Sequence, residues 1–503
     1  MQPLIAAIAA HALAHPQRPA VRSGRTVIDY AGLHAAVLTA SAEIDSNDRG
    51  AIAIGIENST AWVISDLAIL ACAKPCLPLP PFFTPSQQAH ALRDAGAGWL
   101  LTDRPDFYEA QLSQQSIGAV RHSDLDLAGD RIARFRLSIE PALLPPDTAK
   151  ITYTSGTTGT PKGVCLSATL MENVARALAA ATRMTPEDRH LCLLPLATLL
   201  ENIGGVYAPL LSGACVMPSA GRQDSDASAI PGNYGSIIAR MLDTAHATTA
   251  IMIPQMLQAV LAAIGSGVPR PQHLRFLAVG GARVSPLLLD RAAQLALPVF
   301  EGYGLSECAS VVALNTADSR RPGSVGRPLP HVHIDFSEDG EILVGGAGFL
   351  GYAGDHARSG AVWPTGDLGH LDADGFLHLT GRKKDIFITA FGRNVSPDWV
   401  ESELTLQPAI DQAWVHGEAR PWNTAVIVPA AGATAQSVTD AITAANTNLP
   451  GYAQVSRWLP AQEPFTSGNG ELTTNGRLRR TVIAKRYTTI IDQLYLEHSC
   501  ELS

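Results

Sequence analysis

The chain reads as an α/β protein. Two α/β layers come first, a β-rich subdomain follows, and a small α+β domain closes it. Three observations predict this. Short apolar runs alternate with capped amphipathic segments over the first 300 or so residues, the signature of βαβ units and a parallel sheet. From about residue 320 the texture shifts to short strands, many Gly and hairpin-turn signals. After residue 385 helix, strand and helix return, enough for a C-terminal domain of about 115 residues. With 503 residues the chain is too long for one core, and roughly two to four domains are expected.

The elements follow in order. "PLIAAIAAHALAHP" (3–16) is apolar with an A-x-A-like "AHA", but no Lys or Arg precedes it and a strand-turn-strand follows at once. It is therefore expected not to be a signal peptide. "AIAIGIEN" (51–58) reads as a buried strand, and "STAWVISDLAILACAK" as a helix with Ser59 or Thr60 as N-cap. "TPSQQAHALRDAG" is a second capped helix and "AGWLLTD" a second strand. "ATTAIMIP", "LRFLAVGG" and "PVFEGYG" are later strands, and 221–236 is a polar surface loop. "EDGE" and the D-x-D-G of "DADG" mark hairpin turns in the β-rich part.

Composition excludes several functions. Hydrophobic residues make up 46% and charged residues 17%, and the net charge is -9 without a long Lys/Arg run. Nucleic-acid binding needs clustered cations and is not expected. The seven Cys are scattered and form no C-x-x-C pair, so neither a disulfide framework nor a zinc site is expected, and a reducing cytoplasm is. No window reaches the ~18 uninterrupted apolar residues of a membrane span.

One stretch buries almost no apolar surface: "ITYTSGTTGTPKGVCLS" (151–167). Consecutive backbone N–H groups with Ser and Thr hydroxyls make an anion cradle, and Lys162 adds charge. That suits a polyphosphate. It is not a Walker A loop, because Pro161 precedes Lys162 and Gly163 follows it. The same composition suits a plain surface loop, and composition alone does not separate the two.

The motif "YTSGTTGTPKGV" resembles the phosphate loop of the acyl-adenylate-forming superfamily. "GGARVSP" (280–286), "EGYGLSE" (301–307), "GSVGRPLP" (323–330), "TGDLG" (365–369) and "GRKKDIFITAFGRNVSPDWVE" (381–401) resemble its further motifs, in the family's order. The match spans nearly the whole chain and is nearest to the long-chain fatty acyl-CoA synthetases. The resemblance implies an N-terminal AMP-binding domain (1–380), a hinge (381–386) and a mobile C-terminal domain (387–503). It implies an ATP- and Mg2+-dependent ligase. A carboxylate attacks the α-phosphate to give acyl-AMP and pyrophosphate. A thiol, of CoA or of the phosphopantetheine arm of an acyl carrier protein, then displaces AMP.

Residue roles follow from the resemblance. Thr154, Ser155, Gly156, Thr157, Thr158 and Lys162 would hold the β- and γ-phosphates. Gly280, Gly281 and Ala282 would line the adenine side, with Tyr303 stacked on the base beside Gly304 and Ser306. Ser306 stands where Thr is usual and keeps the hydroxyl. Glu307 would take Mg2+, as a hard cation prefers carboxylate oxygen; read alone, it is better explained as a carboxylate answering a helix N-terminus. Asp367, assisted by Arg382, would accept from the ribose hydroxyls. Asp385 matches the hinge, and Gly392 would flank the thiol's path in the second state.

The sequence departs from the family twice. P-L-x-H-x-x-E is here "PLATLLE", so Thr198 replaces a His that shapes the acyl pocket, while Glu201 is kept. The apolar segment 202–211, with Asn202 and Gly205, is expected to line that pocket. It carries no acid for a substrate amine, so a fatty or other apolar acid is expected. Second, Arg477 occupies the position of the adenylation lysine. It keeps the charge but is a wide planar fork, which predicts slow adenylation unless Arg479, Arg480 or Lys485 takes the role or a shifted loop needs no lysine. A relative with one impaired half-reaction, and a non-catalytic nucleotide- or acyl-binding protein, are the alternatives. The retained metal ligand speaks against the second.

Overall fold

The computed structural model describes residues 2–24, 26–44, 50–154, 161–219, 233–282, 284–355, 358, 360, 362–473 and 476–496. Two large sheets carry the N-terminal part. One has eight strands, with Ala51–Gly55 flanked by the parallel strands Cys76–Pro78 and Ala97–Thr102. The other has nine, with Arg189–Cys192, Thr249–Met252, Phe276–Val279 and Val299–Tyr303 side by side and parallel. Strand Ala51–Gly55 is buried along its whole length, as the continuous apolar run requires.

Helix Thr60–Ala71 is buried on nearly every face, as expected of a helix that is apolar all round. Its Trp62, Ile64 and Leu67 share one core with Ile52 and Ile54 of the first sheet and with Val216, Phe276 and Phe300 of the second. The layers are therefore joined through helices. Ser59 caps this helix by accepting from the Trp62 N–H at 3.2 Å. The helix Pro85–Asp94 carries a full capping box between Thr84 and Gln87.

The β-rich part is a four-stranded antiparallel sheet of His333–Phe336, Glu341–Gly345, Val362–Leu371 and Leu377–Arg382. Beyond it, strands Ile410–His416, Asn423–Pro429 and Val455–Pro460 pack with helices Pro397–Leu404, Ala435–Asn446 and Arg480–Leu496 around their own apolar clusters. Buried Glu401 ties two of these helices by pairing with Arg480 at 2.6 Å. Among the described residues the cysteines are free, and no helix is long and apolar enough to cross a membrane.

Two expectations need correction. Most of the expected polar loop at 221–236 lies outside the described residues, but its end is helical, because helix Tyr234–Thr244 starts inside it. Segment 202–211 is not a plain α-helix. Asn202–Tyr207 is a π-helix, followed by the α-turn Ala208–Leu211. Such π segments concentrate at functional sites.

Candidate active site

The site is assembled from strand ends. Thr154 closes strand Thr148–Thr154, and Lys162 opens strand Lys162–Ser167, directly opposite it in the antiparallel pair. Ser155, Gly156, Thr157 and Thr158 lie outside the described residues. Lys162 stands 5.3 Å above the ring of Tyr352.

Gly280, Gly281 and Ala282 leave the end of strand Phe276–Val279, next to strand Val299–Tyr303. Gly281 has φ +85°, which a side chain would strain. A Cβ on Gly304 would fall 1.5 Å from the Ser310 carbonyl oxygen, so only Gly allows the chain to double back there. The fold-back is a 3₁₀ turn, Ser306–Cys308, that carries Glu307.

Glu307 is half-buried, and its Oε1 accepts from the Tyr352 hydroxyl at 3.1 Å. Among the described residues no Lys or Arg pairs with this carboxylate. A half-buried carboxylate without a cation partner fits the demand of Mg2+ for hard oxygen ligands.

Asp367 and Arg382 face one another in register across strands Val362–Leu371 and Leu377–Arg382. Arg382 donates from Nε to Asp367 Oδ1 at 2.7 Å, and Tyr303 donates from its hydroxyl to Oδ2 at 2.7 Å. A carboxylate offers about four acceptor positions, so Asp367 retains capacity for further donors such as ribose hydroxyls. Burial, then Asp367, pushes the Tyr303 phenol well up. Its hydroxyl therefore serves as a hydrogen-bond donor to Asp367. Burial alone would lower the Arg382 pKa, but Asp367 more than offsets it.

Arg477 reaches this group from the C-terminal domain. Thr473 anchors it, donating its N–H to the Arg477 carbonyl at 2.7 Å and accepting the Arg477 N–H on Oγ1 at 3.0 Å. Its guanidinium donates to the Gly281 carbonyl, with bonds of 2.6 and 3.1 Å. Desolvation, then the Arg382 charge, lowers its pKa, although the residue keeps solvent contact. It remains a cation throughout. Arg480, weighed as a substitute, is engaged with Asp398 and Glu401 within its own domain.

Asp385 sits in the turn after strand Leu377–Arg382, its N–H bonded to the Arg382 carbonyl. Gly392 tops a small hairpin with open space around it, φ +69°, and Phe391 beside it is exposed. Thr198 is half-buried and donates to the Pro195 carbonyl at 2.7 Å.

The pocket expectation changes for two residues. Asn202 is 1% exposed, and its amide bonds to Asp66 and Lys150. A Cβ on Gly205 would lie 2.3 Å from Glu201 Oε1 and 2.8 Å from His190 Nε2. Both positions thus face buried polar clusters. In the first, Lys150 bonds to Asp66 at 2.7 Å and to Tyr207 at 2.9 Å. In the second, His190 pairs with Glu201 at 2.9 Å, and Glu201 also accepts from the Leu194 N–H. Cys192 lies close enough for the three to suggest metal ligands, but the His and Glu donor atoms are already used in these bonds. Sequence reading missed both clusters and Tyr352. A lone Lys or Asp in an apolar run was the available signal.

Known proteins resemble the chain along nearly its whole length. A family model described as AMP-binding enzyme matches residues 8–356, and one described as AMP-binding enzyme C-terminal domain matches 384–499. The long-chain-fatty-acid–CoA ligase FadD15 of Mycobacterium bovis is 30% identical, over 86% of each chain. An oxalate–CoA ligase of Arabidopsis thaliana is 27% identical, over 94% of this chain and 96% of its own. Among solved structures, an anthranilate CoA ligase in complex with anthranoyl-AMP superposes with a TM-score of 0.79 at 17% identity, covering 96% of each chain. The O-succinylbenzoate coenzyme A synthetase of Bacillus subtilis, in complex with ATP and magnesium, gives 0.73 at 23%, covering 94% of this chain and 98% of its own. The last two speak to fold alone. The chain belongs to the AMP-binding enzymes, the AMP-forming acid–CoA ligase family.

Proposed function

We propose that the protein activates an apolar carboxylic acid with ATP and passes the acyl group to a thiol, of CoA or of a carrier-bound phosphopantetheine. The observation that carries this is Arg477 of the C-terminal domain, bonded to the Gly281 carbonyl. The charges of Asp367, Arg382 and Tyr303 act on Arg477. This is the arrangement a first half-reaction needs: a cation from one domain beside nucleotide-binding groups of the other.

In that step the carboxylate oxygen bonds to the α-phosphorus and the bond to pyrophosphate breaks. Arg477 would offset the charge that gathers between the two anions. Asp367 would hold the ribose through its spare acceptor positions, and Glu307 would hold Mg2+, which neutralises phosphate charge. The phosphate loop with Lys162 would hold the β- and γ-phosphates. In the second step the thiol sulfur bonds to the acyl carbon and AMP leaves. The residues beyond Asp385 would turn about that hinge, bringing Gly392 to the thiol's path.

Two features support an apolar acid. Glu201, the acid kept in the pocket motif, is used by His190 and Leu194, and Asp66 by Lys150. Neither is left to pair with a substrate ammonium, whose burial would be costly. Pyrophosphate release with fatty acids, aromatic acids and amino acids tests the reading; amino acids as the best substrates would refute it. In the same assay Arg477→Lys should speed pyrophosphate release and leave thioester formation from preformed acyl-AMP nearly unchanged. Slower release would make Arg477 itself the adapted residue.

A further inference from the structure

Tyr352 lies outside every motif the sequence offered, yet it touches both charged groups of the phosphate side. It sits on the two-residue strand Gly351–Tyr352, which pairs antiparallel with strand Lys162–Ser167 and places Tyr352 opposite Val164. Lys162 is two residues from Val164, the diagonal position on the same face, within reach of a long side chain. Its ammonium stands 5.3 Å above the Tyr352 ring, a cation–π distance. At the other end of the ring the hydroxyl donates to Glu307 Oε1 at 3.1 Å.

The ring itself is held. Phe349 packs edge-on against it at 4.9 Å, and Trp363 packs edge-on against Phe349 at 4.9 Å. The Phe349 N–H bonds to the Glu307 carbonyl at 3.0 Å, so the same short segment fixes the Glu307 backbone and side chain. A cavity of ≈ 240 Å³ opens beside the ring, with Lys162, Gly163 and Tyr352 among its walls, so the phosphate side is reachable from solvent.

We propose that Tyr352 is a positioning residue, whose hydroxyl orients the Glu307 carboxylate for Mg2+ and whose ring face orients Lys162 for the ATP phosphates. Glu307 then presents Oε2 to the metal while Oε1 is tethered. One side chain thus sets the spacing between the metal ligand and the phosphate lysine. The inference rests on the proposed roles of Glu307 and Lys162.

The test separates the two ends of the ring by calorimetric ATP binding, with Mg2+ and with EDTA. The ratio of the two affinities measures the metal's share. Partners that orient metal ligands are worth about tenfold or more in metal affinity. Tyr352→Phe should cut the ratio about that much and leave metal-free ATP binding unchanged. Tyr352→Leu should weaken metal-free binding as well, by removing the ring under Lys162. A general loss of packing would instead weaken both measurements in the Phe variant too, and that overturns the proposal. Glu307→Gln is the control. If it loses the Mg2+ dependence and Tyr352→Phe keeps it, the proposal is wrong and the metal assignment stands. If Glu307→Gln keeps the dependence, the metal assignment fails and the proposal falls with it. Should Tyr352→Leu not fold, the Phe variant decides alone.

Discussion

Two acid–cation pairs in this protein have the same length and opposite meaning. Lys150 and Asp66 meet at 2.7 Å, and so do Arg382 and Asp367. The first pair is sealed: its side chains are 2% and 0% exposed, and Asn202 and Tyr207 take up Asp66's second oxygen. The second is 30% and 9% exposed, and Asp367 has acceptor positions to spare. Pair distance therefore does not mark a site. Unspent hydrogen-bonding capacity at a surface does.

The sealed pair should break hardest. Lys150→Met strands the Asp66 charge in the core, a loss of about 3–5 kcal/mol, read by denaturant unfolding. Stability within about 1 kcal/mol of wild type would show that water reaches Asp66 and that the contrast is false.

The open pair should fail differently. Asp367→Asn keeps the volume but removes the charge beside Arg382, and should cost only about 1–2 kcal/mol. It should lower ATP-dependent pyrophosphate release about tenfold to a hundredfold, the worth of one or two charge-assisted bonds. A large loss of stability with unaltered release would reverse the assignment.

Asp188 lies between the two acids at 4% exposure, although its partner Arg275 is 36% exposed. Its carboxylate also takes Thr185 and Thr248, and its pKa is lowered: burial opposes the shift, and the bonds to Arg275 and Thr248 outweigh it. A depressed folded pKa means stability that is full above the unfolded value of about 3.9 and fades as pH falls through the folded one. Asp188→Asn should cost about 1–2 kcal/mol at neutral pH. That deficit should shrink in melts below about pH 4. A deficit independent of pH would mean that the carboxylate's charge is not what matters there.

Much of the fold was legible in the chain. Strand Ala51–Gly55, the capped helices after Ser59 and Thr84, and the turns at "EDGE" and "DADG" each depend on local rules of burial, capping and turn chemistry. The family motifs were legible too, because backbone that must approach a nucleotide needs Gly, Thr and Asp at set spacings within one short stretch.

What the sequence did not decide is which distant groups meet. Asn202 and Gly205 looked like pocket wall, yet Asn202 bonds to Lys150 and Gly205 lies against His190, both brought there by other strands. Tyr352 belongs to none of the motifs, yet its ring lies under Lys162 and its hydroxyl bonds to Glu307, 45 residues before it in the chain. By itself the chain determined the elements, their order and the adenylate-forming chemistry, since these live in local periodicity and contiguous motifs. Only the tertiary structure decided which charges are spent and which remain available, because that depends on partners supplied across the fold and on how far water is excluded around them.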